Sequence, residues 1–367
     1  MKDTKFLDGL RGFAAFYVLI HHSRWLLSES AKYRNGDNIF IKLFTNFLSI
    51  FRFGHEMVIF FFVLSGFVIH LSVVKFASKY SEKGIWKTFF IKRFNRIYPP
   101  FIFALLLTFL IDYVGCNIFH FSFYNLGSKY NSLTLSANNF SIKAFLGNLI
   151  NLQGLNSGIP VFGTNGALWS LSYEWWFYIF YPLFYYLNKE SILKTFILQI
   201  GLFCLSTILS YKYNIPIIFS VLQKMIIWWF GVLLAEVYIG RIKISFINLS
   251  YLVILAPFAL IFVREQLYSD LIWGLGFVGI ISYLMHQEDS NIFRKYVKAM
   301  GVIGGCSYTI YLIHLPIVSF IHAFLIQGNA KRLPENYTPL FLVVILIIFG
   351  SYILAKWVEK INIIPKR

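Results

Sequence analysis

The sequence predicts an all-α, polytopic membrane protein of about ten transmembrane helices with both termini cytoplasmic. Three observations predict it. Of the 367 residues, 58% are hydrophobic and only 13% are charged, about half the charged fraction of a soluble globular domain. Apolar runs of roughly 17–25 residues recur from one end to the other, which is the length a helix needs to cross the hydrocarbon core. The basic residues sit between those runs and divide unevenly: 21 Lys and Arg fall on the side of the termini and 11 on the other, with Lys224 left inside a run. That asymmetry is the positive-inside bias of cytoplasmic loops.

The runs place spans near 9–27, 54–74, 98–115, 165–187, 193–211, 216–240, 246–263, 269–286, 300–325 and 338–357. The first opens as DGLRGF and closes on two histidines; Arg11 and His22, eleven residues apart, share one helical face about 16 Å apart, and His21 points about 100° away. The second holds Ser65 in FFFVLSGF, and the third is entered at Pro99 and Pro100. The fourth carries Glu174 in ALWSLSYEWWFYIFYP. Among the next four, the 216–240 run holds Lys224, whose long stem can snorkel outward. The ninth, SYTIYLIHLP, carries His314 with Tyr311 and Ser307 three and seven residues before it, and the tenth ends close to the C-terminus.

Composition also excludes. No stretch is polar or long enough for a separate soluble domain, so residues 1–367 read as one membrane domain. The net charge of +17 does not indicate nucleic acid, because it forms no compact basic module. Cys116, Cys204 and Cys306 have no metal-like or CxxC spacing, so neither a disulfide framework nor a metal site is expected. The N-terminal apolar segment runs through Arg11 without a small-residue cleavage site, which argues against a cleavable signal. The connection 116–163 is rich in Ser, Asn and Gly, and its NLINLQGLNSG reads as a re-entrant segment, a surface segment or a loop.

Ionisable side chains inside a span cost at least a few kcal/mol and mark functional sites by default. At about 1.5 Å per residue, His22, Glu174 and His314 reach one depth near the midplane, while Arg11 stays at the inner end. His70, His286 and His322, near span ends, read as interfacial; Trp175, Trp176, Trp228 and Trp229 read as packing or aromatic belt. Arg93 and Arg96 in KTFFIKRFNRIYPP are three apart and neighbours on a helix. Paired guanidinium groups suit phosphate recognition, although anchoring at the membrane surface explains them equally well. A ligand with a phosphorylated head in the cytosol and a reactive tip near His22 matches this layout, and acyl-coenzyme A has that shape. A neutral His can take the proton of an attacking hydroxyl, with Glu174 orienting it or binding the acceptor. No GxSxG elbow is present, so direct transfer is favoured over an acyl-serine intermediate.

The same segments resemble the acyltransferase-3 family. LDGLRGFAAFYVLIHH resembles its first helix, whose hallmark of Arg, ten residues, His is met by Arg11 and His22. FFFVLSGFVI is similar to its second helix, FIKRFNRIYP to its Arg-x-x-Arg element on Arg93 and Arg96, and LWSLSYEWWFYIFYP to the element whose Glu falls on Glu174. SYTIYLIHLP is similar to the late element carrying Ser307, Tyr308, Tyr311, His314 and Pro316. The resemblance spans about residues 6–320, in order. It implies an integral-membrane O-acyltransferase of the bacterial cytoplasmic (inner) membrane that moves an acyl group, acetyl by default, from cytoplasmic acyl-CoA to an extracytoplasmic glycan such as O-antigen or exopolysaccharide. It implies catalytic roles for His22, Glu174 and Arg11, donor binding by Arg11, Arg93 and Arg96, and substrate binding by Ser65, Tyr308, Tyr311 and His314. Many members carry a further SGNH-hydrolase domain, which the resemblance does not reach; transfer is expected either without it or through a separate partner. The competing class is a transporter or flippase of a glycan or polar lipid, in which His and Glu would relay protons. Transporters often show paired broken-helix repeats, and none stands out here.

The charge asymmetry generates a test. Single cysteines placed at Lys83 and Asn131 should react with an impermeant reagent from opposite faces of the membrane, and equal accessibility would defeat the ten-span arrangement.

Overall fold

The computed structural model describes residues 4–29, 39–125, 135–136, 138–155, 157–213, 217–328 and 333–365; Asn131 lies outside them. The described chain is helical: α1 (Thr4–Leu26), α2 (Ile39–Ser49), α3 (Gly54–Ala77), α4 (Glu82–Tyr113), α5 (Ser122–Asn125), α6 (Ile142–Leu149), α7 (Trp169–Glu190), α8 (Ile192–Lys212), α9 (Ile217–Tyr238), α10 (Phe246–Ser250), α11 (Leu252–Leu260), α12 (Gln266–His286), α13 (Ile292–Ala299), α14 (Gly301–Gly304), α15 (Ser307–Gly328) and α16 (Thr338–Val358).

Helices occupy all ten expected positions, but among the described residues seven are long and apolar enough to cross a membrane: α3, α4, α8, α9, α12, α15 and α16. The other positions depart for physical reasons. α1 has 23 residues but carries Arg11, His21, His22 and Arg24. α7 gives its positions to Trp, Tyr and Glu174. The 246–263 run breaks at Tyr251 into α10 and the nine-residue α11, which contains Pro257.

The third helix changes the expected loop structure. It starts at Glu82 rather than near residue 98 and runs for 32 residues, about 48 Å at 1.5 Å per residue. Most of the expected 75–97 loop is therefore helix, and Arg93 and Arg96 ride on a rigid element. Pro99 and Pro100 lie inside it, removing two backbone donors rather than opening a span.

Both chain ends meet at one end of the bundle. Glu359, just past α16, pairs with Arg96 at 2.8 Å. The Asn95 amide donates to the Ile364 carbonyl at 2.7 Å and accepts from the Ile364 N–H at 2.9 Å. Arg11 lines the same cavity as Arg96.

Small residues let the helices close on one another. α3 crosses α9 at Gly66 and Gly231, where a Cβ on Gly66 would overlap the Trp228 carbonyl and one on Gly231 the Val63 carbonyl. Gly12 of α1 meets Gly304 of α14 in the same way. Close backbone approach gives the dispersion contacts that hold helices together in lipid. Trp228 and Trp229, fully buried, fill the space beside the α3–α9 crossing. They are core, not belt.

Three residues expected at the membrane surface are instead internal. His70 is fully buried, hydrogen-bonded to the Tyr181 hydroxyl at 2.8 Å, with its Nε2 3.0 Å from Glu236, to which Arg241 donates at 3.0 Å. A buried carboxylate requires such donors. His322 is buried with Nδ1 2.6 Å from the Leu26 carbonyl. Lys224 does not snorkel; its ammonium reaches Asp270 at 3.1 Å. Of the 148–158 segment, Asn156 lies outside the described residues; Asn148, Asn151, Gln153 and Leu155 turn into the bundle and are fully buried. Asn151 donates to the Tyr98 hydroxyl at 3.2 Å, its carbonyl accepts from the Trp176 indole at 2.9 Å, and Gln153 donates to the Leu168 carbonyl at 3.1 Å. These bonds hold the turn that leads into α7.

The glycine crossing predicts a stability effect. Gly231→Leu must push α9 off α3, costing at least about 1–3 kcal/mol, so the detergent-solubilised variant should unfold at a clearly lower temperature than wild type. An unchanged midpoint would show that the two helices are not held at this separation.

Candidate functional site

Two cavities divide the interior. The inner one, about 410 Å³, lies at the end that holds the chain termini; the outer one, about 270 Å³, lies toward the opposite end. Val58 and Tyr311 line both. They form the wall through which the cavities adjoin.

The inner cavity is cationic. Arg11, Lys92, Arg93 and Arg96 line it, against Asp8 and Glu174. α1 brings Arg11 and α4 brings the other three on consecutive turns of one face. Two of the arginines are anchored by carboxylates: Arg11 donates to Asp8 at 2.7 Å, and Arg96 to Glu359, whose other oxygen accepts from Thr309 at 2.7 Å. Arg93 differs, because its buried Nε has no partner among the described residues. A buried guanidinium N–H without an acceptor is an open coordination point for an anion.

Glu174 belongs to this cavity and not to the histidines. It accepts from Ser65 at 2.8 Å and from Tyr178, one turn along α7. Ser65 in turn accepts from the Trp228 indole at 3.2 Å. The Tyr308 hydroxyl donates to the Ile97 carbonyl at 3.2 Å, and Ser307 donates to the Gly304 carbonyl at 2.8 Å. Tyr311 is pinned by the Ala167 carbonyl at 2.9 Å and the Ser170 hydroxyl at 2.6 Å. Its ring is thereby held across the wall between the cavities.

The outer cavity holds His22. α1 and α15 cross so that His314 Nε2 lies 3.1 Å from His22 Nδ1. His314 is fully buried, with Nδ1 2.8 Å from the Tyr311 carbonyl and 3.1 Å from that of Ile310. Carbonyls only accept, so the hydrogen of a neutral His314 sits on Nδ1 and its Nε2 is bare. The hydrogen shared with His22 then belongs to His22 Nδ1, which also faces the Val18 carbonyl at 3.1 Å. His22 Nε2 is left with its lone pair, and no described residue bonds it. This fixed tautomer is what a general base requires. His21 also lines the outer cavity, but its Nδ1 is bound to the Phe51 carbonyl at 2.9 Å.

The structure thus brings His22 and His314 together, and Arg11, Arg93 and Arg96 together with Glu174, Ser65 and Tyr308. It does not join Glu174 to His22. Residues absent from the sequence reading also shape the site. Tyr178, one turn from Glu174, was detectable by helical spacing, and Asp270 as an acidic residue in an apolar run. His55, Asp8 and Glu359 carried no such signal.

The family model described as an acyltransferase domain matches residues 4–356 of the chain. The O-acetyltransferase OatA of Staphylococcus aureus strain NCTC 8325 is 22% identical over 88% of this chain and 52% of its own length. A provisionally named O-acetyltransferase of S. aureus strain COL is 24% identical over the same shares. The chain therefore spans about half the length of the curated relatives it matches. No solved structure matches it.

Proposed function

The chain belongs to the acyltransferase-3 family, matched over residues 4–356, and from that premise we propose that it is a membrane O-acyltransferase carrying acetyl from cytoplasmic acetyl-CoA to a hydroxyl of an extracytoplasmic glycan. The observation that carries this reading is the pair of adjoining cavities, cationic on one side of Tyr311 and imidazole-lined on the other. On this reading the bundle makes ten crossings of the bacterial cytoplasmic membrane, with the arginine end in the cytosol.

Arg93, with its open Nε, and Lys92 bind donor phosphates. Arg11 and Arg96, oriented by Asp8 and Glu359, add charge at the mouth. A pantetheine arm lying past Ser65 and Tyr308 brings a thioester to the wall at Tyr311 and Val58. His22 Nε2 takes the proton of the acceptor hydroxyl as its oxygen attacks the thioester carbon. The C–S bond breaks, the new C–O bond completes the ester, and His22 returns the proton to the departing thiolate. His314, bonded through both nitrogens, holds the His22 tautomer and accepts more strongly from the imidazolium. It acts through His22 and not on the substrate. Glu174 orders Ser65 and Tyr178 along the donor path. Donor and acceptor enter from opposite faces, so the reaction crosses the membrane without either one doing so.

Two tests follow from these assignments. His22→Gln should lower acetyl transfer in membranes by about 10²–10⁴-fold, the usual worth of general base catalysis. His21→Gln, which can still donate to the Phe51 carbonyl, should lose far less; the reverse order of effects would overturn the base assignment. Free thiol should appear as acetyl-CoA is consumed, whereas a transporter releases none.

Donor binding is separable from chemistry. Removing a charged hydrogen bond costs about 1.5–3 kcal/mol, so Arg93→Ala should raise the KM for acetyl-CoA roughly 10- to 100-fold while kcat at saturating donor changes little. An unaltered KM would return Arg93 to a surface-anchoring role.

A further inference from the structure

The outer cavity contains a second imidazole that the acyltransfer mechanism above does not use. His55, on the first turn of α3, donates to Asp270 of α12, with Nε2 2.9 Å from Oδ1. Asp270 is fully buried and takes two more donors: Gln266 at 2.8 Å on the same oxygen and Lys224 at 3.1 Å on the other. Three donors from three helices hold one carboxylate, and the ammonium balances its charge. The His55 ring lies flat against the Trp169 indole, with centroids 5.5 Å apart and planes within 8°. Backed by Asp270 and flanked by Trp169, the imidazole has one orientation. Yet its side chain remains 37% exposed, and it lines the cavity that His22 also lines.

A carboxylate can only accept, so the hydrogen of the His55–Asp270 bond sits on His55 Nε2. The neutral ring keeps its lone pair on Nδ1, which has no partner among the described residues. Such an arrangement is expensive to build for packing alone: it takes a fully buried carboxylate and a mostly buried lysine out of water to fix one partly exposed ring. What a fixed, bare imidazole nitrogen recognises is an O–H or N–H donor. The rest of the lining narrows the donor further. His21, His22, Trp25 and Trp169 join His55, and no Lys, Arg, Asp or Glu lines this cavity among the described residues. A carboxylated or phosphorylated group would find no counter-ion there. An uncharged ring with hydroxyls on its edge and C–H groups on its face would find acceptors and flat indoles.

We propose that His55, held by Asp270 and flanked by Trp169, is an acceptor-positioning residue: its Nδ1 accepts a hydrogen bond from a second hydroxyl of an uncharged sugar ring whose neighbouring hydroxyl is presented to His22. The inference rests on the acyltransfer reading and narrows its acceptor to a neutral saccharide unit. His55 does not touch the reacting atoms. It sets which hydroxyl reaches His22, so its removal affects acceptor affinity and regiochemistry rather than donor use.

The experiment uses the full-length protein in nanodiscs with acetyl-CoA as donor and, as acceptor, alkali-de-esterified surface polysaccharide from the host lacking this gene. His55→Phe keeps the stack on Trp169 and removes Nδ1. It should raise the KM for polysaccharide about tenfold, with the KM for acetyl-CoA and kcat at saturating polysaccharide close to wild type. His55→Asn, whose amide oxygen stands near the Nδ1 position, should recover part of that affinity. Trp169→Leu, which leaves His55 and Asp270 in place, should show the same acceptor-selective loss and provides the result if His55→Phe fails to fold. A purely structural role would instead lower kcat or raise both KM values together, and that pattern overturns the proposal. Wild-type transfer with an unchanged polysaccharide KM in both His55→Phe and Trp169→Leu overturns it as well, leaving acyltransfer intact. Wild-type protein that moves no acetyl to the polysaccharide overturns the acyltransfer reading and the inference with it.

Discussion

An ionisable group taken out of water must be paired, and the interior of this bundle is organised around that requirement. Isolated charges in a low-dielectric interior are too costly to persist, so three of the buried carboxylates gather donors from other parts of the chain. Glu236 gathers His70, Asn188 and Arg241; Asp270 gathers His55, Gln266 and Lys224; Glu359 gathers Arg96 and Thr309. These clusters tie helices far apart in sequence and thereby fix where the cavities lie. Close glycine crossings supply the packing, and the polar clusters supply the register.

Against that background the groups left incompletely paired are informative. Arg93 Nε, His22 Nε2 and His55 Nδ1 have no hydrogen-bond partner among the described residues, and each side chain lines a cavity. Other buried polar atoms also lack partners, Trp229 Nε1 and the Gln199 amide among them, but these three side chains stand out because they line the two adjoining cavities. Their chemistry differs by side. The inner position is a cation and suits an anion, whereas the outer ones are bare imidazole nitrogens and suit hydroxyls. Val58 and Tyr311 line both environments and stand between them.

The helical class and the approximate helix positions were legible because apolar length and 3.6-residue periodicity are local properties. Arg11 and His22 could be placed on one face, Arg93 beside Arg96, and Tyr311 beside His314, for the same reason. The boundaries erred where local signals conflict: Pro99 and Pro100 suggested a helix start, yet α4 runs through them from Glu82. Glu174 was expected level with His22 and His314, but it lines the inner cavity and His22 the outer one, because counting along a helix does not specify rotation toward a neighbour. In the structure it faces Ser65 and Tyr178.

The sequence by itself determined that this is an all-helical protein with buried ionisable residues and that it is a relative of the acyltransferases. Each of these follows from composition, periodicity or motif within a short window. Only the tertiary structure decided which buried groups meet. His22 and His314 are 292 positions apart, His55 and Asp270 are 215, and Arg96 pairs with Glu359 near the far end of the chain. No local pattern encodes such pairings, because they depend on how helices rotate and cross when every buried charge must find a partner at once.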